Sequence, residues 1–106
     1  MPVKYHEAAE QELLHAVGYL ELRAKGLGRR FFADVRRAEE RIARFPESAP
    51  EIRPGIRRRM LQKFPYSLFY TIESGDLLIL AVAHHRRRPG YWVGRLSPAE
   101  EDDATA

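Results

Sequence analysis

Ten residues towards the C-terminal end of the chain, AHHRRRPGYW (Ala83 to Trp92), carry the side chains best suited to chemistry. They comprise two histidines, three arginines, a tyrosine and the only tryptophan. Imidazole exchanges protons near neutral pH, the guanidinium fork binds phosphate or carboxylate, and aromatic rings stack on bases. The stretch therefore suits either cleavage of a phosphodiester or binding of an acidic or polyanionic partner.

A ribonuclease mechanism can be written for these residues. Cleavage of RNA by its own 2′-hydroxyl needs a base, an acid and cations around the phosphate. His84 or His85 would act as base or acid, and Tyr91 would assist. The cations would come from Arg57, Arg59, Arg86 and Arg87. A lone tryptophan in a small domain is usually packed, so Trp92 either caps the core or offers a stacking surface.

A second basic group, Arg57 to Arg59, lies on a predicted strand. Strand alternation places Arg57 and Arg59 on one face and Arg58 on the other. Arg86 to Arg88 fall at the end of the last predicted strand. In a small antiparallel sheet the two groups could converge on one concave end.

The charge is unevenly distributed along the 106 residues. The chain has 18 Lys and Arg against 15 Asp and Glu. Residues 50–95 carry nine basic and three acidic side chains, whereas residues 97–106 carry only acidic ones. This concentration of arginine favours an acidic or polyanionic partner over a uniformly basic surface.

Several classes of site and location are disfavoured. The chain has no cysteine, which excludes disulfides and thiolate metal sites. His84 and His85 are neighbours on a strand, so they should point to opposite faces and make a poor metal site. The sequence has no Gly-rich phosphate loop, no apolar run that could span a membrane and no signal-peptide pattern. We therefore expect a cytoplasmic protein without metal, cofactor or membrane contact.

The hydrophobic pattern predicts two helices and four strands. Val3–Tyr5 suggests a short strand, and apolar residues three or four apart predict a helix from Glu7, with Gly26 as its left-handed C′ residue. A second helix should follow the Gly26-Leu27-Gly28 link and stop at Pro46. The loop over 46–55 is followed by three strand patterns: Ile56–Leu61, Ser67–Glu73 and Leu77–His84.

This order, β-α-α-β-β-β, predicts an α+β fold in which an antiparallel two-helix hairpin packs on a small antiparallel sheet. The helices should cover one face of the sheet and leave the other for a ligand or partner. A single domain is expected over residues 1–96. The acidic segment 97–106 is expected to be disordered.

The chain resembles the RelE/ParE superfamily of bacterial toxins from type II toxin–antitoxin modules, over roughly Tyr5 to Arg95. The resemblance is carried by four stretches in order: AAEQELLHAVGYLELRAKGLGRRFFADV, FPES followed by a proline, IRRRMLQKFPYSLFYTIE, and LLILAVAHHRRRPGYWVGR. The last two are the most specific and are close to the ParE-like branch.

The resemblance implies a growth-inhibiting toxin that is neutralised by a cognate, acidic antitoxin in a hetero-oligomer. ParE-like members act on DNA gyrase without catalysis. RelE-like members cleave mRNA on the ribosome, and they are rich in lysine on the sheet. Here Lys63 is the only lysine after residue 25, which favours the gyrase branch. The ribosome-dependent endoribonuclease is the alternative, and a member that has lost toxicity is a third possibility.

The resemblance also assigns site residues. The arginine of IRRR that matches best is Arg58, with Arg57 or Arg59 as register alternatives. A ribonuclease would use His84, Arg58, Arg86 and Tyr91. Binding of a target would use Arg57, Arg59, His85, Arg87, Arg88, Trp92 and Arg95.

Overall fold

The computed structural model describes residues 1–96, and the predicted acidic tail lies outside the described residues. The elements in chain order are β1 (Val3–Tyr5), α1 (Glu7–Arg23), α2 (Leu27–Arg44), β2 (Glu51–Arg53), β3 (Ile56–Met60), β4 (Tyr66–Glu73), β5 (Asp76–His84) and a 3₁₀ turn (Val93–Arg95). The predicted order and the α+β class are confirmed. The one addition is β2, a three-residue strand inside the predicted loop.

The sheet is mixed, which corrects the expectation that it is antiparallel throughout. Its strand order is β1-β5-β4-β3-β2. β2 to β5 form an antiparallel meander, but β1 runs parallel to β5, with Val3 opposite Leu77. Since β1 is only three residues long, it covers only the first part of the outer edge of β5. Within residues 1–96, no strand pairs with the second part of that edge, from Leu80 onwards.

The two helices form the predicted hairpin, although the three-residue link between them lies two positions earlier than expected, over residues 24–26. Gly26 has a left-handed φ of 85°, as predicted, but it is the N-cap of α2 rather than the residue after α1. Leu27 and Gly28 are already helical. Glu21 of α1 supplies the missing side-chain cap, because its carboxylate accepts hydrogen bonds from the Gly26 and Gly28 amides at 2.8 and 3.0 Å. The cap of α2 thus comes from the preceding helix.

The main core lies between the helical hairpin and one face of the sheet. The helices bury apolar residues at three- and four-residue spacing, among them Leu13, Phe31, Val35 and Ile42. Strands β4 and β5 contribute the buried residues Leu68, Tyr70, Leu77, Ile79 and Val82. Leu68 and Tyr70, two residues apart, therefore lie on the same face of β4.

A β-bulge in β5 reverses the side-chain alternation of its second half. Tyr70 pairs with Ile79, but the preceding residue Phe69 pairs with Ala81, which leaves Leu80 as an extra residue. An extra residue changes which face every later side chain occupies. As a result Val82 packs towards the helices, whereas Ala81 faces the opposite side.

The face of the sheet away from the helices is partly covered by the chain itself. Residues 91–96 fold back across it, and Trp92 is 2% exposed in a second, smaller core with Ile56, Leu80 and Ala81. The expectation that this whole face is left for a partner is therefore wrong. A large indole placed against exposed apolar strand residues removes both from water.

The two helices approach closely at Gly28, so adding a single methyl group there should have a strong effect on stability. A Cβ at Gly28 would lie 2.5 Å from the carbonyl oxygen of Val17, whereas one at Gly18 would meet nothing within 4 Å. We expect Gly28→Ala to lower the free energy of unfolding by about 1–3 kcal/mol, the typical cost of overpacking. Gly18→Ala should raise it by about 0.5–1 kcal/mol, since alanine is the better helix former. Urea unfolding of both variants tests this, and equal effects would contradict the packing.

Candidate functional site

The basic strip, defined as Arg86 to Arg88, lies in a turn immediately beyond β5, at the strand end where it was predicted. Strand β5 ends at His84. The Arg87 amide donates to the His84 carbonyl at 3.0 Å, and the Arg86 amide donates to Nδ1 of the same histidine at 3.0 Å. All three arginines are exposed. The turn therefore presents three cations to solvent at the end of the sheet.

A cleft of about 220 Å³ lies beside the strip, on the sheet face away from the helices. It brings together most of the predicted site residues with several unpredicted ones. Its lining consists of Ile52, Arg58, Ser67, Phe69, Ala83, His84, His85, Arg87, Arg88, Pro89, Gly90, Tyr91 and Trp92. No aspartate or glutamate is among them. The predicted convergence of two arginine groups is thus realised by Arg58 with Arg87 and Arg88.

A chain of hydrogen bonds joins three side chains at the cleft. Arg58 Nε donates to Ser67 Oγ at 3.0 Å, and Ser67 Oγ lies 3.0 Å from His85 Nε2. Arginine can only donate, so Ser67 accepts from it and is free to donate its own proton to His85. Ser67 is 1% exposed, so it works as an internal anchor that fixes both of its neighbours.

Arg57 and Arg59 do not belong to this cleft. As predicted, they lie on the opposite face of β3 from Arg58. Arg57 donates to the carbonyl oxygens of Glu47 and Ala49 at 3.0 and 2.7 Å, and Arg59 donates to Ser48 Oγ at 2.7 Å. Both side chains therefore hold the loop between α2 and β2 in place.

Glu12 of α1 joins the C-terminal segment to the sheet. Its carboxylate accepts hydrogen bonds from the Tyr91 hydroxyl (2.6 Å), from both terminal nitrogens of Arg95 (2.7 and 3.0 Å) and from the Val82 amide (3.0 Å). Arg95 also donates to the Leu80 carbonyl at 3.0 Å. Glu12 and Arg95 thereby satisfy backbone groups on the unpaired edge of β5.

These contacts shift the pKa values of Glu12 and Tyr91 in opposite directions. Burial alone would raise the pKa of Glu12, but hydrogen bonds from Arg95, Tyr91 and the Val82 amide outweigh it and lower that pKa below its ordinary value. Burial, and next the hydrogen bond to Glu12, raise the pKa of Tyr91 well above its ordinary value. Tyr91 is therefore a neutral hydrogen-bond donor whose proton is already committed.

The aromatic and imidazole rings next to the basic strip are mostly packed. Trp92 lies against Phe69, with ring centroids 5.1 Å apart, and its burial leaves little of the ring for a target to stack on. The Tyr91 ring carries the Arg87 guanidinium, whose central carbon is 3.9 Å from the ring centroid. His84 packs edge-on against Tyr66 at 5.0 Å. His84 and His85 point to opposite faces, as alternation predicts, since His84 lies beside Tyr66 and His85 beside Ser67.

Two residues important to this region were not found by sequence reasoning. Ser67 lies two residues before Phe69 on β4, so both side chains are on the same face of the sheet. Knowing how β4 pairs with β3 and β5 would have placed Ser67 between Arg58 and His85. Glu12 looked like an ordinary helix-surface carboxylate near the start of α1. It bonds Arg95 across 83 positions of sequence, and no local pattern signals such a contact.

Within residues 1–96, no three histidine, aspartate or glutamate side chains lie close enough together to hold a metal ion. The described helices are also too short or too polar to cross a membrane. The chemical groups that the region offers are therefore guanidinium, imidazole and hydroxyl groups of the chain itself.

Comparison with known proteins decides the family. The family model for the ParE toxin of the type II toxin–antitoxin system, parDE, matches residues 3–89. The chain belongs to the ParE toxin family. No curated protein sequence matches it.

The fold of this ParE-family chain is also found in a solved structure. It is similar to a chain of the chromosomal ParDE toxin–antitoxin system from P. aeruginosa, with a TM-score of 0.67 at 17% sequence identity. The match covers 79% of this chain and 95% of the other. At this identity the likeness supports the fold, while membership of the family implies an antitoxin partner.

The Glu12 cluster predicts a pH-dependent contribution to the stability of this ParE-family chain. Glu12→Gln should lower the free energy of unfolding by about 1–3 kcal/mol at pH 7, because charge-assisted hydrogen bonds to Arg95 and Tyr91 are weakened. The pKa of Glu12 is lowered by folding, so its contribution is complete above the ordinary value of 4.5 and is lost as the pH falls through the folded value.

Urea unfolding of wild type and Glu12→Gln at neutral and acidic pH measures this difference. The gap between the two proteins should close in acid. Glu10→Gln, an exposed substitution on the same helix, is the control and should have little effect at either pH. A gap that persists unchanged in acid would show that the Glu12 charge is not responsible.

Proposed function

We propose that this chain is the growth-inhibiting toxin of a toxin–antitoxin pair, and that it acts by binding DNA gyrase without catalysing a reaction. The observation that carries the proposal is the exposed basic strip at the end of β5 in a ParE-family fold. The gyrase target itself comes from the resemblance to ParE-like toxins.

The electrostatics of the strip support binding of an acidic surface. Among the described residues, ion pairs engage Lys4, Arg36, Arg37, Arg57 and Arg95. The strip arginines take part in none of them. Exposed guanidinium groups that form no ion pair with a residue of the 1–96 segment attract acidic partners and accelerate their association.

The positions of the proton-transfer candidates favour binding over catalysis. The Tyr91 hydroxyl donates to Glu12, and its raised pKa disfavours release of the proton. Nδ1 of His84 already accepts the Arg86 amide. A ribonuclease would need these groups free to exchange protons with the substrate.

An antitoxin is the second partner of the proposed function. The concentration of arginine in the second half of the chain suits an acidic antitoxin, which would cover the strip and block access of the target. We propose that the pair forms a hetero-oligomer in the cytoplasm, where gyrase is present.

One arrangement favours the alternative, a ribosome-dependent endoribonuclease. Arg58, His85 and Arg87 line a single cleft, which is where an RNA phosphate and a proton-transfer group would have to meet. His85, rather than the predicted His84, would then be the histidine at the phosphate, because its ring bonds Ser67 on the cleft side of the sheet.

Two assays on the same purified protein distinguish these functions. Wild type should inhibit supercoiling by purified gyrase and should arrest growth when expressed without antitoxin. Arg86→Gln combined with Arg88→Gln should raise the concentration needed for half-inhibition by about tenfold or more, since each loses a charge-assisted contact. Arg29→Gln with Arg30→Gln removes the same charge from an exposed part of α2 and should retain full inhibition.

Ribosome-bound mRNA cleavage is assayed in parallel. Growth arrest with normal supercoiling would exclude the gyrase mechanism. New mRNA 5′ ends that disappear in His85→Ala would establish the endoribonuclease instead. A chain that neither arrests growth nor inhibits gyrase would be a family member without toxicity.

A further inference from the structure

The cleft on the outer sheet face has the features of a small-anion site. Arg58, Arg87 and Arg88 converge on it, and no carboxylate from residues 1–96 lines it. The ion pairs between described residues involve none of these three arginines. Converging cations without an acidic partner create a positive potential that a bound anion would neutralise.

The donors of the cleft are held in place before any ligand arrives. Ser67 fixes Arg58 through Nε, which leaves the two terminal nitrogens of the guanidinium to form a fork. Arg87 is held over the Tyr91 ring, so the N–H groups in its plane remain available. His85 lines the same cleft, and its ring is held by a contact between Nε2 and Ser67 Oγ. Forked arginine donors match the oxygens of a phosphate group.

The remainder of the cleft is apolar and aromatic. Ile52, which is 42% exposed, and the half-buried Phe69 line the cleft together with Pro89. The volume of about 220 Å³ is below the range of about 300–1,000 Å³ typical of pockets for drug-sized ligands. The cleft therefore suits one phosphate group with one attached ring better than a folded segment of protein.

We propose that this cleft binds the phosphate group of a nucleotide, with Arg58 as its principal ligand and Ser67 as the residue that positions Arg58. The phosphate lies between Arg58, Arg87 and Arg88, and the base lies against Ile52 and Phe69. This proposal is independent of the gyrase mechanism, because it depends on the inner wall of the cleft and not on the exposed strip alone.

The single tryptophan provides a direct readout. Trp92 lines the cleft and is the only tryptophan in the chain, so its fluorescence reports occupancy. Titration at about 0.15 M salt suppresses long-range attraction between exposed charges. The probes are inorganic phosphate, adenosine 5′-monophosphate and a short single-stranded oligonucleotide.

We expect a saturable fluorescence change with the mononucleotide, and inorganic phosphate should compete with it. Arg58→Gln should weaken binding by about tenfold or more. Ser67→Ala should weaken it by a smaller factor, since Arg58 is kept but loses its anchor. Arg53→Gln, an exposed arginine of β2 outside the cleft, should bind as wild type does. Arg88→Gln is a second, surface-exposed cleft variant whose loss of binding does not depend on the stability of β3.

The oligonucleotide identifies the source of the phosphate. Equal affinity for mononucleotide and oligonucleotide, both dependent on Arg58, indicates a free nucleotide. Tighter oligonucleotide binding with the same dependence indicates the end of a nucleic acid strand. The absence of a saturable response at millimolar mononucleotide would overturn the proposal. An equal loss of nucleotide binding in Arg58→Gln and Arg53→Gln would also overturn it, because it would indicate a diffuse basic surface. Neither result bears on gyrase inhibition, which is measured separately.

Discussion

The architecture around the candidate site depends on how the unpaired edge of β5 is satisfied. β1 pairs only with the first part of this strand. Beyond it, Glu12 accepts from the Val82 amide and Arg95 donates to the Leu80 carbonyl. These two side chains supply the hydrogen-bond partners that a neighbouring strand would otherwise provide. The ion pair between them connects α1 to the C-terminal segment. Breaking these contacts would leave buried backbone groups without hydrogen-bond partners, which is costly. This cost keeps the C-terminal segment in its position.

The position of the C-terminal segment decides what kind of surface the outer sheet face becomes. Because Arg95 and Tyr91 are tied to Glu12, the intervening Trp92 is held over Phe69. The indole closes one side of the cleft and removes apolar strand surface from water. Arg87 then rests on the Tyr91 ring. The same residues that resembled a functional strip in sequence thus divide into exposed cations and a packed aromatic wall.

The bulge at Leu80 has a comparable influence on the polar side of the cleft. Without the extra residue, simple alternation from Ile79 would direct residue 84 away from the helices and residue 85 towards them. With it, His84 packs beside Tyr66 and His85 reaches Ser67. The one extra residue therefore determines which of the two adjacent histidines is linked to Arg58 through Ser67. Bulges commonly redirect side chains in this way.

The sequence was enough to predict both helices, four of the five strands of the described sheet and the class of fold, because helix and strand periodicities, glycines and prolines act over a few neighbouring residues. It also determined the basic character of the C-terminal strip and the separation of Arg58 from Arg57 and Arg59. The tertiary structure alone decided the parallel pairing of β1, the bulge, the anchoring of Arg95 by Glu12 and the placement of Ser67 between Arg58 and His85. These depend on contacts between residues far apart in the chain, whose geometry is set by packing of the sheet against the helices and not by local preference.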